Sequence, residues 1–168
     1  MSNISIIIVV LLSVLTITLL VVGYRSRRKQ TAEKPIDLTA FRTLIDRDHD
    51  AFLREKLSRV EFFHQKRRKI RVTWKYVRRM ADNAAVFMRL ASEQRTSSDQ
   101  TVAETAQQIG EQAAQLRLNC LVAFAKLTVE FAIPSVQLTP AMLAPKYETL
   151  KQNLSRLGSL HQPLASAM

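Results

Sequence analysis

The chain has 168 residues and a formal net charge of +11, with 25 Lys and Arg against 14 Asp and Glu. Its 3 Gly and 5 Pro are too few for a domain of strands and tight turns, and helix-favouring residues such as Ala, Leu, Arg, Gln and Glu dominate. We therefore predict an all-α protein. A single cysteine, Cys120, excludes an internal disulfide, and its apolar flanks predict a small buried side chain.

The first predicted element is a membrane-spanning helix over residues 4–22. These 19 residues carry no charge. At ~1.5 Å rise per residue they span about 28 Å, near the ~30 Å hydrocarbon core of a bilayer. A cleaved signal peptide is the alternative, but no cation precedes the stretch, and its apolar core is longer than such peptides use.

The residues after the span predict its orientation. Four cations follow almost at once: Arg25, Arg27, Arg28 and Lys29. Because cytoplasmic flanks are enriched in Lys and Arg, the N-terminus is expected outside and the rest of the chain in the cytoplasm. We predict a single-pass protein of a bacterial-type cytoplasmic (inner) membrane.

The chain then divides into a linker, a domain and a tail. The anchor occupies residues 1–24, and residues 25–36 form a basic juxtamembrane linker broken by Pro35. Residues 37–158 form a helical domain, and residues 159–168 a flexible tail. Within the domain, Asp37 is placed to cap a short helix, and the acidic run at residues 46–50 to supply carboxylates to the next helix.

A long helix is predicted over residues 50–93, which contain neither Gly nor Pro. Its apolar stripe changes phase along the way. Leu53, Leu57 and Val60 share one face, whereas the apolar residues from Phe63 onward share another, rotated by roughly 80–100°. Either the helix breaks near residues 62–65 or its halves pack against different partners, and we favour the second interpretation.

A second long helix begins after a polar connector at residues 93–99, where Asp99 or Ser98 is placed to cap it. It carries a heptad of buried-type residues: Val102, Ala106, Ile109, Ala113, Leu116, Cys120, Ala123 and Leu127. The small side chains favour close approach of the preceding helix at Ala81, Ala84 and Ala85, which predicts a long antiparallel helical hairpin. Lys126 and Glu130 stand four apart and are expected to pair.

The C-terminal part of the domain is predicted to hold one more helix. Pro134 ends the second long helix. Pro145 then starts a last helix, which stops at Gly158.

Positive charge is concentrated in one stretch. Residues 51–80 hold 11 Lys and Arg against 2 Glu and so carry +9 of the net +11. On a helix, six of these cations fall within about 120° of arc over ~18 Å of axis. The six are Arg67, Arg68, Arg71, Lys75, Arg78 and Arg79. They predict a surface for an anionic partner, with a merely solvated face as the alternative.

Three anionic partners fit this strip. Anionic lipid head groups lie within reach of the linker, and an acidic protein surface is the second candidate. Nucleic acid is the third, because Trp74 and Tyr76 interleave with the cations. However, Trp74 falls on the apolar stripe beside Ile70 and Val77, which favours a core position.

Candidate metal ligands have simpler roles. Glu61 and His64 form a single E-x-x-H unit, whereas carboxylate di-iron bundles use two. Asp46, His49 and Asp50 share a helical face suited to a cation, but capping explains the acids more simply. We predict no metal site and no cofactor.

Catalytic signatures are also missing from the sequence. The three histidines accompany no recognisable nucleophile elbow, and there is no phosphate loop, dinucleotide fingerprint or zinc spacing. We predict that the protein is not an enzyme.

These observations favour a non-catalytic, membrane-anchored accessory or scaffold subunit. Its basic helical domain would dock on anionic lipid or on an acidic face of a larger membrane complex. The alternatives are a membrane-tethered nucleic-acid-binding protein and, less favoured, a cryptic enzyme.

Overall fold

The structure is a computed structural model that describes residues 33–138 and 140–161. These residues form five α-helices and no strand: α1 (Leu38–Leu44), α2 (Arg47–Lys56), α3 (Arg59–Gln94), α4 (Gln100–Ala132) and α5 (Leu143–His161). The prediction of an all-α bundle is confirmed.

Within the described residues, no helix combines the length and the apolarity that crossing a bilayer requires. The predicted span at residues 4–22 lies outside these residues. So do the four cations that predict its orientation, Arg25, Arg27, Arg28 and Lys29.

Three aspartates start helices, as predicted. The Asp37 carboxylate accepts a hydrogen bond from the Ala40 amide at 2.9 Å and caps α1. Asp46 caps α2 in the same way, and Asp99 caps α4 by accepting from the Thr101 amide at 2.8 Å. Each bond satisfies an amide that has no partner within its own helix.

The predicted helix over residues 50–93 is two helices, and the break lies earlier than residues 62–65. The chain is extended at Leu57, with ψ of 151°, and α3 then runs unbroken from Arg59. Ser58 and Glu61 form a capping box: the Glu61 amide donates to Ser58 Oγ at 3.4 Å, and the Ser58 amide donates to Glu61 Oε2 at 3.2 Å. A capping box favours the start of a helix, so the apolar residues of α3 follow the periodicity of a new helix that begins at Arg59.

Helices α3 and α4 form the predicted antiparallel hairpin. Lys66 of α3 meets Glu130 near the end of α4, whereas Ala91 lies opposite Gly110 near its start. All eight predicted heptad residues are buried: Val102, Ala106, Ile109, Ala113, Leu116, Cys120, Ala123 and Leu127. Of the predicted alanine face on α3, Ala84 is buried, and Ala81 and Ala85 are half-buried.

Helices α1 and α5 cover one side of the hairpin. Phe41 of α1 packs on Tyr76 with ring centroids 5.8 Å apart, and Tyr147 of α5 packs on Phe87 at 6.2 Å. Arg42 and Glu148 join the two covering helices through an ion pair of 2.5 Å.

Helix α5 does not stop at Gly158, contrary to the prediction, and continues to His161. A glycine ends a helix when it adopts the left-handed conformation. No described glycine has a positive φ, so Gly158 is an ordinary helical residue.

Candidate anion-docking face

The six predicted cations all lie on α3 with exposed side chains, and we call them the basic strip: Arg67, Arg68, Arg71, Lys75, Arg78 and Arg79. None of them pairs with a carboxylate among the described residues. Glu61, engaged in the capping box, precedes the strip in the helix. Asp82, 3.7 Å from Lys34 Nζ, follows it.

Lys66 and Lys69, which flank Arg67 and Arg68 in the sequence, each pair with a carboxylate, unlike the cations of the basic strip. Lys66 is only 4% exposed, and its ammonium lies 3.1 Å from Glu130 Oε1. It also donates to the carbonyls of Pro134 at 2.7 Å and Val136 at 3.0 Å. The three donors of the ammonium are thereby satisfied, as burial of a charge requires.

The expected pair between Lys126 and Glu130 is wrong. Glu130 points into the hairpin and pairs with Lys66, whereas Lys126 is exposed. Sequence spacing indicated a local i,i+4 pair, but the buried lysine on the facing helix is the stronger partner. The missed signal is the position of Lys66, four residues after buried Phe62 and four before buried Ile70.

The acidic run at the start of α2 binds a lysine. Asp46 caps the helix, and Asp50 is buried in an ion pair with Lys69. Lys69 also donates to the Asp46 carbonyl at 3.1 Å. Nowhere in the described part of the chain do three acids, histidines or cysteines gather as metal ligands.

Trp74 is packed between the two long helices. Its ring centroid lies 5.3 Å from that of Phe131, and the Arg67 guanidinium lies 5.5 Å from the centre of the same Phe131 ring. The indole Nε1 is buried and has no hydrogen-bond partner among the described residues. Trp74 is therefore an aromatic residue of the hairpin with one edge toward the basic strip.

The opposite side of the hairpin from α1 and α5 is uncovered within the described residues. At ~100° per residue, Tyr76, Asn83 and Phe87 share the covered side of α3, whereas Trp74 and Ala81 lie about 140° away. On α4, Gln112 faces α5, since it accepts a hydrogen bond from Asn153 Nδ2 at 2.8 Å. Leu121, Phe124 and Phe131, all half-buried, lie about 100–180° from Gln112, and Leu118, about 60° from Leu121, is 63% exposed.

We call this surface the hairpin face. Its apolar part consists of Trp74 and Ala81 on α3 and Leu118, Leu121, Phe124 and Phe131 on α4, whereas Val122 points about 180° away from Phe131 and lies outside it. Arg67, Arg71 and Arg78 follow Trp74 around α3 within about 60° of arc and form its cationic border. The face is thus amphipathic, with cations along one helix and apolar side chains on the other.

The segment before α1 is fixed to the domain. The Lys34 amide donates to Asn83 Oδ1 at 2.9 Å, and Asn83 Nδ2 donates to the Lys34 carbonyl at 2.8 Å. Asn83 Nδ2 also donates to the Tyr147 hydroxyl at 2.6 Å, and that hydroxyl donates to Glu33 at 3.3 Å. Residues 33 and 34, placed in the linker by their polarity, are therefore bound to α3 and α5.

Burial decides the ionisation of the two titratable groups nearest the core. It raises the pKa of the Tyr147 hydroxyl to about 12, with Glu33 adding to the effect and the Asn83 bond opposing it. It also raises the pKa of the Cys120 thiol to about 12, against a smaller opposing effect of Arg117. Cys120 is thus a protonated core thiol, as its apolar flanks predict.

A groove of ≈ 470 Å³ lies between α1, α2 and the first turns of α3. Its lining is largely apolar and includes Leu44, Leu53, Phe62 and Val72. Asp50 and Lys69, which are paired with each other, supply charged groups to the lining. The groove lies on the covered side of α3, away from the hairpin face.

Fold and surface together define a helical hairpin bundle with an amphipathic, cationic face. Comparison with known proteins finds no family model, curated protein or solved structure that matches this chain.

Proposed function

We propose that the protein is a non-catalytic, membrane-anchored accessory or scaffold subunit. Its basic helical domain docks on anionic lipid or on an acidic face of a larger membrane complex. The observation that supports this is the basic strip, whose cations face solvent without carboxylate partners in the described residues. Lys66 and Lys69, on the same helix, are each matched by a carboxylate.

The anchor is the uncharged stretch at residues 4–22, with the N-terminus outside and the domain in the cytoplasm. Because Glu33 and Lys34 are bound to the domain, only residues 25–32 of the predicted linker separate the domain from the anchor. Eight residues reach at most about 29 Å when extended, so the domain stays close to the bilayer. A short tether raises the local concentration of the domain, and a weak electrostatic contact then suffices.

The second candidate function is nucleic-acid binding, which the same cations favour through phosphate contacts. Binding of single strands commonly adds stacking of bases on aromatic rings. Trp74 offers little of its ring for this, because it packs on Phe131. This candidate is therefore ranked second, and a cryptic enzyme third.

Two measurements on the full chain test the proposal. Alkaline carbonate extraction is expected to leave the protein in the membrane pellet, because a spanning helix is held by apolar burial. Purification in mild detergent is then expected to retain membrane subunits or anionic lipid after nuclease treatment. Release by carbonate would contradict the anchor, and loss of all partners with nuclease would favour nucleic-acid binding.

A further inference from the structure

We propose that the hairpin face binds the surface of an anionic phospholipid bilayer directly. This inference rests on the proposed function and assigns the partner of its docking face. The cations would lie at the phosphate level, and the apolar side chains would enter the boundary between head groups and acyl chains.

The apolar part of the face is the first argument. Leu118 exposes 63% of its surface, and Leu121, Phe124 and Phe131 are half-buried on the same side of α4. The exposure of Leu118 shows that no described helix packs over it. Apolar side chains continuous over two helices indicate a surface that is covered in use.

The cationic border is the second argument. Arg67 stacks over Phe131, and Phe131 contacts Trp74, so a guanidinium, a phenyl ring and an indole are in direct succession. Arg71 and Arg78 extend this border along α3 on the same side. Cations next to tryptophan and aliphatic side chains are typical of segments that lie in the interface of a bilayer.

The shape of the face favours lipid over an acidic protein. Tight protein partners bury anchor side chains in pockets. The largest groove described above opens on the other side of α3, between α1 and α2. The hairpin face instead offers exposed apolar side chains such as Leu118, which a fluid bilayer can accommodate.

The tether is the third argument. Asn83 holds the backbone of Lys34, and Lys34 Nζ lies 3.7 Å from Asp82, the residue that follows the basic strip. Lys34 therefore lies next to the strip. The eight residues predicted between the anchor and Glu33 reach at most about 29 Å, which keeps the ~18 Å strip within reach of the bilayer surface.

The chain has one tryptophan, so Trp74 reports on the face without any label. The full chain is reconstituted into phosphatidylcholine vesicles, with and without phosphatidylglycerol, that contain acyl-brominated lipid as a quencher. We expect strong quenching of Trp74 fluorescence in the anionic vesicles and weak quenching in the neutral ones. High salt is expected to reduce the difference, because screening weakens the attraction.

A triple variant tests the cationic border. This variant, the border triple, combines Arg67→Gln, Arg71→Gln and Arg78→Gln. We expect it to lower the ratio of docked to undocked protein by roughly 100-fold, because each cation near an anionic surface strengthens binding several-fold. The matched control is Arg54→Gln, Arg95→Gln and Lys126→Gln, three exposed cations outside the face. The control is expected to behave like the wild type.

A third variant tests the apolar part without disturbing the core. Leu118→Glu changes a side chain that is 63% exposed, so the fold is expected to be retained and the quenching lost. Equal quenching in neutral and anionic vesicles, or an effect of the control triple equal to that of the border triple, would overturn the inference.

The outcomes separate the inference from the proposed function. One combination of results would contradict only the lipid assignment. The protein would resist carbonate extraction, its Trp74 fluorescence would not respond to anionic lipid, and the border triple would lose an acidic subunit that co-purifies with the wild type. Protein that carbonate releases contradicts the membrane-anchored subunit itself.

Discussion

Lys66 and Glu130 form a buried ion pair that joins the two long helices, with Nζ 3.1 Å from Oε1 and exposures of 4% and 5%. The same ammonium donates to the Pro134 and Val136 carbonyls, just after α4 ends. The pair therefore fixes the far end of the hairpin and the start of the connection to α5 at one point.

Removing one member of this pair leaves an uncompensated buried charge. We expect Glu130→Ala to lower the free energy of unfolding by about 3–5 kcal/mol. The double variant Lys66→Met with Glu130→Leu is expected to lose much less, because both charges are gone. Chemical denaturation in mild detergent measures the values. A similar loss in the single and double variants would contradict this account. Arg67→Met, which changes the exposed residue next to Lys66, serves as the control.

Asn83 is expected to determine whether residues 33 and 34 stay bound to the domain. Asn83→Leu removes both hydrogen bonds to the Lys34 backbone and the bond to Tyr147. We expect loss of hydrogen-exchange protection at the Lys34 amide and a destabilisation of about 1–3 kcal/mol. Tyr147→Phe keeps both backbone bonds, so the Lys34 amide should remain protected in that variant.

Cys120 is expected to resist thiol reagents in the folded protein. Burial raises the pKa of its thiol from 9.0 to about 12, and the thiolate is the reactive form. Alkylation at mildly alkaline pH should therefore be slow until denaturant unfolds the chain. Fast alkylation of the native protein would show that the centre of the hairpin opens.

The same burial predicts a fall in stability at high pH. A thiol with a raised folded pKa contributes stability that is fully present below the unfolded value of 9.0 and is lost as pH rises toward about 12. Tyr147, raised from 10.0 to about 12, acts in the same direction. Denaturation between these limits should show decreasing stability, with a shallower decrease in Cys120→Ala combined with Tyr147→Phe.

Gly110 is expected to accept alanine with a gain in stability. A methyl group there would lie 3.8 Å from Ala91 Cβ, an ordinary van der Waals contact, and the glycine φ is not positive. Alanine loses less conformational entropy in a helix, which predicts a gain of about 0.5–1 kcal/mol. Gly158→Ala, where nothing lies within 4 Å, is the matched comparison without a packing contact. A loss at Gly110 alone would indicate tighter packing between α3 and α4.

The features that were predicted correctly from the sequence depend on residues that lie near one another in the chain. Asp37, Asp46 and Asp99 were predicted as caps because a cap depends on neighbours within three residues. The α4 heptad was predicted completely, because a regular repeat of apolar residues marks the side of a helix that is buried. The strip cations were placed on one side of α3 by helical periodicity alone.

Tertiary contacts decided the features that sequence did not predict. Lys126 was the predicted partner of Glu130 because it lies four residues away in the sequence. Only the fold shows that Lys66, on the facing helix, forms the ion pair with Glu130. The favoured prediction of one continuous helix with two packing environments was wrong, and the alternative break near residues 62–65 was placed too late, because a change in apolar phase appears only after the helix has restarted at Arg59. The apolar part of the hairpin face combines residues of two helices, so no single stretch of sequence reveals it.

The central claim is that the basic strip holds the membrane-anchored domain on an anionic surface. The most direct test purifies the full chain from membranes in mild detergent and compares the bound lipid and protein of the wild type, the border triple and the control triple. We predict that anionic lipid or membrane subunits remain with the wild type and the control after nuclease treatment, and that the border triple loses them. Equal retention by all three proteins would contradict the claim.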